Sequence, residues 1–343
     1  MVGVALVWSA PAMAAVTLRG AVPEDPPRAE WLDRYTQSRQ GPEQVDKVSQ
    51  TFTVGAKGAF DLTGISGDVR VTGGGGSQIR VEATKRVRHR DSDEASRLLK
   101  ELRVEMTQVG DRVEVRTIYS RRISGGRGLS ASVDFVVTVP AGTSVAVKSI
   151  SGDVDVTSVR GEVRAETVSG NVDVADSPNV AQAKTISGNV TARDIGSANT
   201  MSLQTVSGRV VASGLKVRAL DAGSVSGDVR ITGVQIERIE AKSISGNIHF
   251  DAPLSKGGRY EFTSHSGDVR ITLPGATGFE LDANTFSGSV RSELPVTLRG
   301  TGRDDRDDRR RDASNRAIRG SYGDGSAILS VRSHSGSVVI SRK

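Results

Sequence analysis

The stretch SISGDVDV, residues 149–156, decides how this chain folds. TVSGNVDV (167–174), TISGNV (185–190) and SISGNIHF (243–250) repeat its phrase: a Ser-Gly pair, usually Asp or Asn next, then a β-branched residue. The serine of the pair recurs at Ser66, Ser151, Ser169, Ser187, Ser207, Ser226, Ser245, Ser266, Ser287 and Ser335. From Ser151 to Ser287 the steps are 18, 18, 20, 19, 19, 21 and 21 residues. So regular a period marks stacked units, each too small to bury an apolar face alone.

Counted from each serine, positions six and four before are apolar, as in Val145 and Val147, Met201 and Leu203, or Tyr260 and Phe262. Three after, every copy carries Val or Ile, and five after is mostly apolar again. Alternation with period two on both sides of the pair describes two half-buried strands per unit. An apolar residue also stands one before the serine (Ile150, Val168, Ile186, Val206, Val225, Ile244). An odd offset cannot share the face of the even ones in a regular strand, so the chain is expected to bend there. Gly at the next position supplies the backbone freedom, and Asp or Asn bonds back to local backbone. A Ser or Thr two before the corner, as at Ser149, Thr167 and Thr185, would stack into a hydroxyl ladder. The predicted fold is all-β: a parallel β-solenoid of ~19-residue two-strand coils, with strands of successive coils ~4.8 Å apart. An antiparallel meander of hairpins is the alternative.

The rest of the chain divides around this repeat. Residues 1–15 end an apolar run at Ala12-Met13-Ala14 and read as a signal peptide without the usual positive start. Residues 16–50 are polar and Pro-containing, a flexible leader. Residues 51–148 hold the first repeat with inserted β-hairpins and a short helix near 91–102, a block suited to capping the open end. Residues 149–298 form the solenoid repeats, 299–325 a charged disordered loop around RDDRDDRRRD, and 326–343 a final coil that closes the stack. Beyond the first residues no segment has the ~18 apolar residues a membrane span needs.

The 343 residues include no cysteine, which excludes disulfides and thiolate chemistry. Serine sits at a turn in every copy, whereas a nucleophile needs one serine beside a base. Of four histidines, His265 and His334 take the position before the corner and replace the apolar residue there, with Phe286 between them. The repeated Asp68, Asp153, Asp228 and Asp268 raise calcium as a cofactor, although the glycine-rich nonapeptide of calcium-binding β-rolls is absent. No other cofactor is indicated.

In-register stacking would align two charged rows as candidate binding sites. Five before the serine stand Asp221, Glu240, Glu261 and Asp282; four after stand Arg230, His249, Arg270 and Arg291. Like charges ~5 Å apart repel by about 1 kcal/mol even in water. Either solvent and neighbours such as Lys242 screen them, or the acid row takes a cation or basic polymer and the basic row an anionic glycan or phospholipid. The formal net charge of +6 and the run Lys85-Arg86-Val87-Arg88-His89-Arg90 read first as a solvated strand end and, in an exported protein, point to anionic envelope polymers or lipid headgroups more than to nucleic acid.

The repeated phrase, as in SISGDVDV and TVSGNVDV, resembles a bacterial family of β-strand-repeat proteins, domain of unknown function 4097, which carries the label "putative adhesin". The resemblance runs over roughly residues 50–343 and implies an exported, envelope-associated repeat domain with no catalytic residues to carry over. The expected function is a non-enzymatic surface for adhesion, scaffolding or ligand binding in the periplasm, at the cell surface or outside it. Its expected partners are an anionic polymer, a glycan or another envelope protein. The competing expectation is a polysaccharide-active β-helix enzyme.

Overall fold

The computed structural model describes residues 42–55, 57–120, 123, 129–275, 277–298 and 316–343. The expected signal peptide, most of the leader and the Arg-Asp run at 303–312 lie outside them. The described body is nearly all β, with one ten-residue helix: a 13-stranded and a 14-stranded sheet face each other, and most of their strands pair in parallel.

The Ser-Gly corners lie over one another. Ser169 pairs with Ser151 and Ser187, Ser207 with Ser187 and Ser226, and Ser245 with Ser226 and Ser266. The strand before each corner belongs to one sheet and the strand after it to the other, so the antiparallel meander is ruled out. Between the sheets lie the residues six and four before the corner and three and five after it: Val163, Ala165, Val172 and Val174 in one unit, Leu220, Ala222, Val229 and Ile231 in another. Larger rings fill the core further on, where Phe250 packs 5.3 Å from Phe262 and 5.9 Å from Tyr260. The return loop is as regular as the first corner. Ser158, Asp176, Asp194, Gly214 and Gly233, each seven after its serine, all have φ between 50° and 65°. The next residue (Val159, Ile195, Leu215, Val234) plugs the core.

The expected bend before the serine does not occur. Alternation continues inward through the hydroxyl two before the corner, so the apolar residue one before points outward. Thr167, Thr185, Thr205, Ser224, Ser243 and Ser264 are buried. Each donates to a glycine carbonyl of the preceding coil, as Thr185 Oγ1 does to Gly170 O at 2.9 Å. The turn itself is made at glycine, and Asp or Asn then ties the coils together. Asp153 Oδ1 accepts the Asn171 N–H at 2.7 Å, Asn171 Oδ1 that of Asn189 at 2.9 Å, and Asn189 Oδ1 that of Arg209 at 2.9 Å. The aspartates that raised calcium are therefore part of a backbone ladder.

The ends of the stack depart from chain order. The segment after the first corner supplies strands Arg112–Ile118 and Ser130–Pro140, which pair in parallel outside the first coil. Antiparallel strands Arg103–Val109, Gln78–Arg88 and Glu43–Thr53 then follow outward. Residues 43–50 are thus strand, not flexible leader. Helix Ser92–Glu101 buries Ala95 and Leu98, and Asp91 caps it by accepting the N–H groups of Asp93 and Glu94. At the other end, strands Ala327–Ser335 and Val338–Arg342 do not close the stack. They wedge between the coil at 259–273 and the coil at 279–292, with Val331 paired to both Phe262 and Ala283. Within the expected disordered loop, Ala317–Tyr322 forms a strand antiparallel to Phe279–Ser287. Fitting one face against both neighbours is possible because every coil presents the same columns.

In the capping block, the Tyr119 hydroxyl donates to the Ala131 carbonyl at 3.3 Å. Burial, reinforced by the negative charge of Asp134, pushes its pKa from 10.0 up to about 12. The fold favours the neutral phenol, so stability present below pH 10 is lost as pH rises toward 12. Absorbance titration of the phenols should show a lagging component that Tyr119→Phe removes. Ionisation of every tyrosine near pH 10 would contradict this placement.

Candidate functional site

The outer face of the sheet that precedes the corners carries the side chains at odd offsets. One before the serine runs a column of Ile150, Val168, Ile186, Val206, Val225 and Ile244, each 39–54% exposed. It continues into His265, His334 and Phe286. The two imidazoles stack at 4.7 Å and His334 stacks on Phe286 at 4.9 Å, all within 1° of parallel. His334, not Phe286, is the middle ring, because the C-terminal coil is the wedge. Each member covers part of its neighbours above and below, so the column is a continuous ridge. Beside it, three before the serine, stand Lys148, Glu166, Lys184, Gln204, Lys242 and Arg332. A recess of about 600 Å³ lies between the two rows where Lys242 and Arg332 face Ile244, the two histidines and Phe286.

Of the acid row, Asp221, Glu240 and Glu261 are direct neighbours on successive strands. Asp282 is not, because Ser330 of the wedge coil lies between it and Glu261. Each of the four meets a donor of the protein itself. Gln204 Nε2 donates to Asp221 at 3.3 Å, Lys242 Nζ pairs with Glu240, Arg332 lies 3.9 Å from Glu261, and Arg319 lies 3.1 Å from Asp282. The hydrogen bond to Glu240, together with the charges of Glu240, Asp221 and Glu261, holds the Lys242 ammonium above its ordinary pKa. In the basic row, Arg230, His249 and Arg270 adjoin, but Val339 separates Arg270 from Arg291. Arg270 is paired with Asp268 at 2.9 Å. The wedge thus breaks both rows at the same place.

A bend before the serine would hide this exposed apolar column in the sequence. The signal was available: counting inward positions through the hydroxyl leaves the next residue outside. Among the described residues no helix is long and apolar enough to cross a membrane.

No curated protein matches the chain. Among solved structures, a "putative adhesin" from Bacteroides fragilis is 12% identical, with 87% of this chain and 97% of that one covered and a TM-score of 0.41. A "putative cell adhesion protein" from Clostridium sporogenes is 11% identical, with 87% and 100% covered and a TM-score of 0.23. A "putative lipid binding protein" from Parabacteroides distasonis is 10% identical, with 87% and 97% covered and a TM-score of 0.37. The family model described as Toastrack DUF4097 matches residues 59–341, from the first strand pair of the repeat to the end of the wedge coil. By that match, across nearly all of the stacked body, this chain belongs to the Toastrack DUF4097 family.

Proposed function

We propose that this chain is an exported, non-enzymatic binding surface of the cell envelope, and that the apolar column is its contact. The supporting observation is a row of Ile and Val side chains held outside on six successive coils, each 39–54% exposed. Six such side chains expose about 500 Å², the size of the largest apolar patches on soluble proteins, which often serve binding. The flanking row holds Lys148 and Lys184 against one acid, Glu166, besides Lys242 and Arg332, which Glu240 and Glu261 meet; this suits an amphipathic partner with negative charge, either an envelope polymer or another envelope protein. Export is supported by the apolar run that ends at Ala12-Met13-Ala14.

Retention of the full chain on immobilised anionic envelope polymers and acidic polysaccharides tests this reading. Replacing Ile150, Ile186 and Ile244 together by serine should weaken retention about tenfold or more, since each loses part of its buried apolar area. The fold should survive, because all three side chains stand outside the core. Unchanged retention would remove the column from the function. Turnover of an acidic polysaccharide would replace the binding reading with that of a β-helix enzyme.

A further inference from the structure

Six residues from the apolar column along the same strands, about 20 Å away at ~3.3 Å per residue, the outer face carries a different feature. Ala219, Arg238 and Arg259 are neighbours on three successive strands. Arg218 precedes Ala219 and is exposed, as Arg238 and Arg259 are. The three arginines line a polar recess of about 510 Å³, together with Asn199, Thr200 and Glu237. Elsewhere on this face Lys242 is met by Glu240, Arg332 by Glu261 and Arg319 by Asp282. None of the three arginines has a carboxylate within ion-pairing distance among the described residues, although Glu237 shares the recess.

Like charges directly opposite on adjacent strands are destabilising. Arg238 and Arg259 form such a pair at the ~4.8 Å strand spacing, with a third guanidinium one strand further on. A guanidinium presents a planar fork of N–H donors that matches the oxygens of a phosphate. Thr200 adds a neutral hydroxyl at the rim, beside Asn199, whose Nδ2 donates to Asn179 Oδ1 at 2.8 Å. We infer that this recess is an anion site for phosphate groups, and that a bound phosphate offsets the repulsion between Arg238 and Arg259. Glu237 leaves the recess a net charge of two positives, enough to hold one phosphate. Two sources share this chemistry: free phosphate and the phosphates of an envelope polymer. The site is separate from the apolar column, so the two stand or fall independently.

Thermal unfolding of the full chain, in inorganic phosphate and in chloride at matched ionic strength, tests it. At tenfold its dissociation constant, phosphate should raise the melting temperature by roughly 2–3 °C. Arg238→Gln and Arg259→Gln should each abolish that rise while melting at or above the wild type in chloride, because one member of the repelling pair is gone. Arg97→Gln, which removes the same charge from the helix, should keep the full response. A rise that persists in Arg238→Gln/Arg259→Gln, or no rise in the wild type, would overturn the assignment. Repeating the measurement with a glycerol-phosphate polymer separates the sources: a larger shift at equal phosphate concentration identifies the polymer, and an equal one identifies free phosphate. Loss of polymer retention in the Ile150, Ile186 and Ile244 variant, with the phosphate response intact, would bear on the column alone.

Discussion

Replacing Gly188 by alanine should remove about 3–5 kcal/mol of stability, a large loss for one methyl group. Two penalties coincide there. Gly188 has φ 145°, a region that side chains disfavour. A Cβ built on it would also lie 2.0 Å from the carbonyl oxygen of Gly170 in the preceding coil. That oxygen cannot retreat, because it accepts the Thr185 hydroxyl at 2.9 Å and is held by the backbone on both sides. The clash therefore pushes two coils apart at the corner where the hydroxyl and Asx ladders meet. Gly75→Ala is the control: no atom lies within 4 Å of its added Cβ, and its effect should stay within about 0.5 kcal/mol. Denaturant unfolding of both variants measures the difference. Equal midpoints would show that the coils are not packed as closely as the glycine column requires.

Val331→Asp should cost more than about 4 kcal/mol, because Val331 is 0% exposed and nothing beside it can pair a carboxylate. Where the damage appears is the sharper test. In a stack, each coil depends on its nearest neighbours. Val331 sits in the wedge between Phe262 and Ala283, so both adjoining coils lose a partner. Hydrogen exchange should rise in Arg259–Ser266 and in Phe279–Ser287, while Val163–Ser169 and Val180–Ser187 stay protected. Protection lost on one side only would fit a terminal coil and contradict the wedge.

Much of the repeat was legible because each column has its own chemical reason. Val or Ile three after the serine is core, Ser or Thr two before bonds a glycine carbonyl, and Asp or Asn two after accepts the next coil's N–H. The second corner was legible only as a loose return. Ser158, Asp176, Asp194, Gly214 and Gly233 share a left-handed φ but not a residue type, and a conformation that several residues tolerate leaves a faint trace. The arginine recess was missed for a related reason. Arg238 and Arg259, each seven before its serine, adjoin as the period requires, but Arg218 joins them only because pairing shifts between Ser197 and Thr200.

The charged rows show the opposite failure. Asp221, Glu240 and Glu261 align as the period requires, because parallel in-register strands place equal offsets side by side. Asp282 and Arg291 drop out although their offsets are right. Counting along the chain assumes that the next coil in sequence is the next coil in space.

The sequence by itself determined the period, the corner and the contents of each column, since these depend on contacts within a unit and with an identical neighbour. Only the tertiary structure decided the order of the coils at both ends. Every coil presents the same Gly, hydroxyl and Asx edge, so local chemistry accepts any coil as a partner. The choice falls to the connections and end strands: Arg112–Ile118 and Ser130–Pro140 outside the first coil, and Ala327–Arg342 in the slot between its two predecessors.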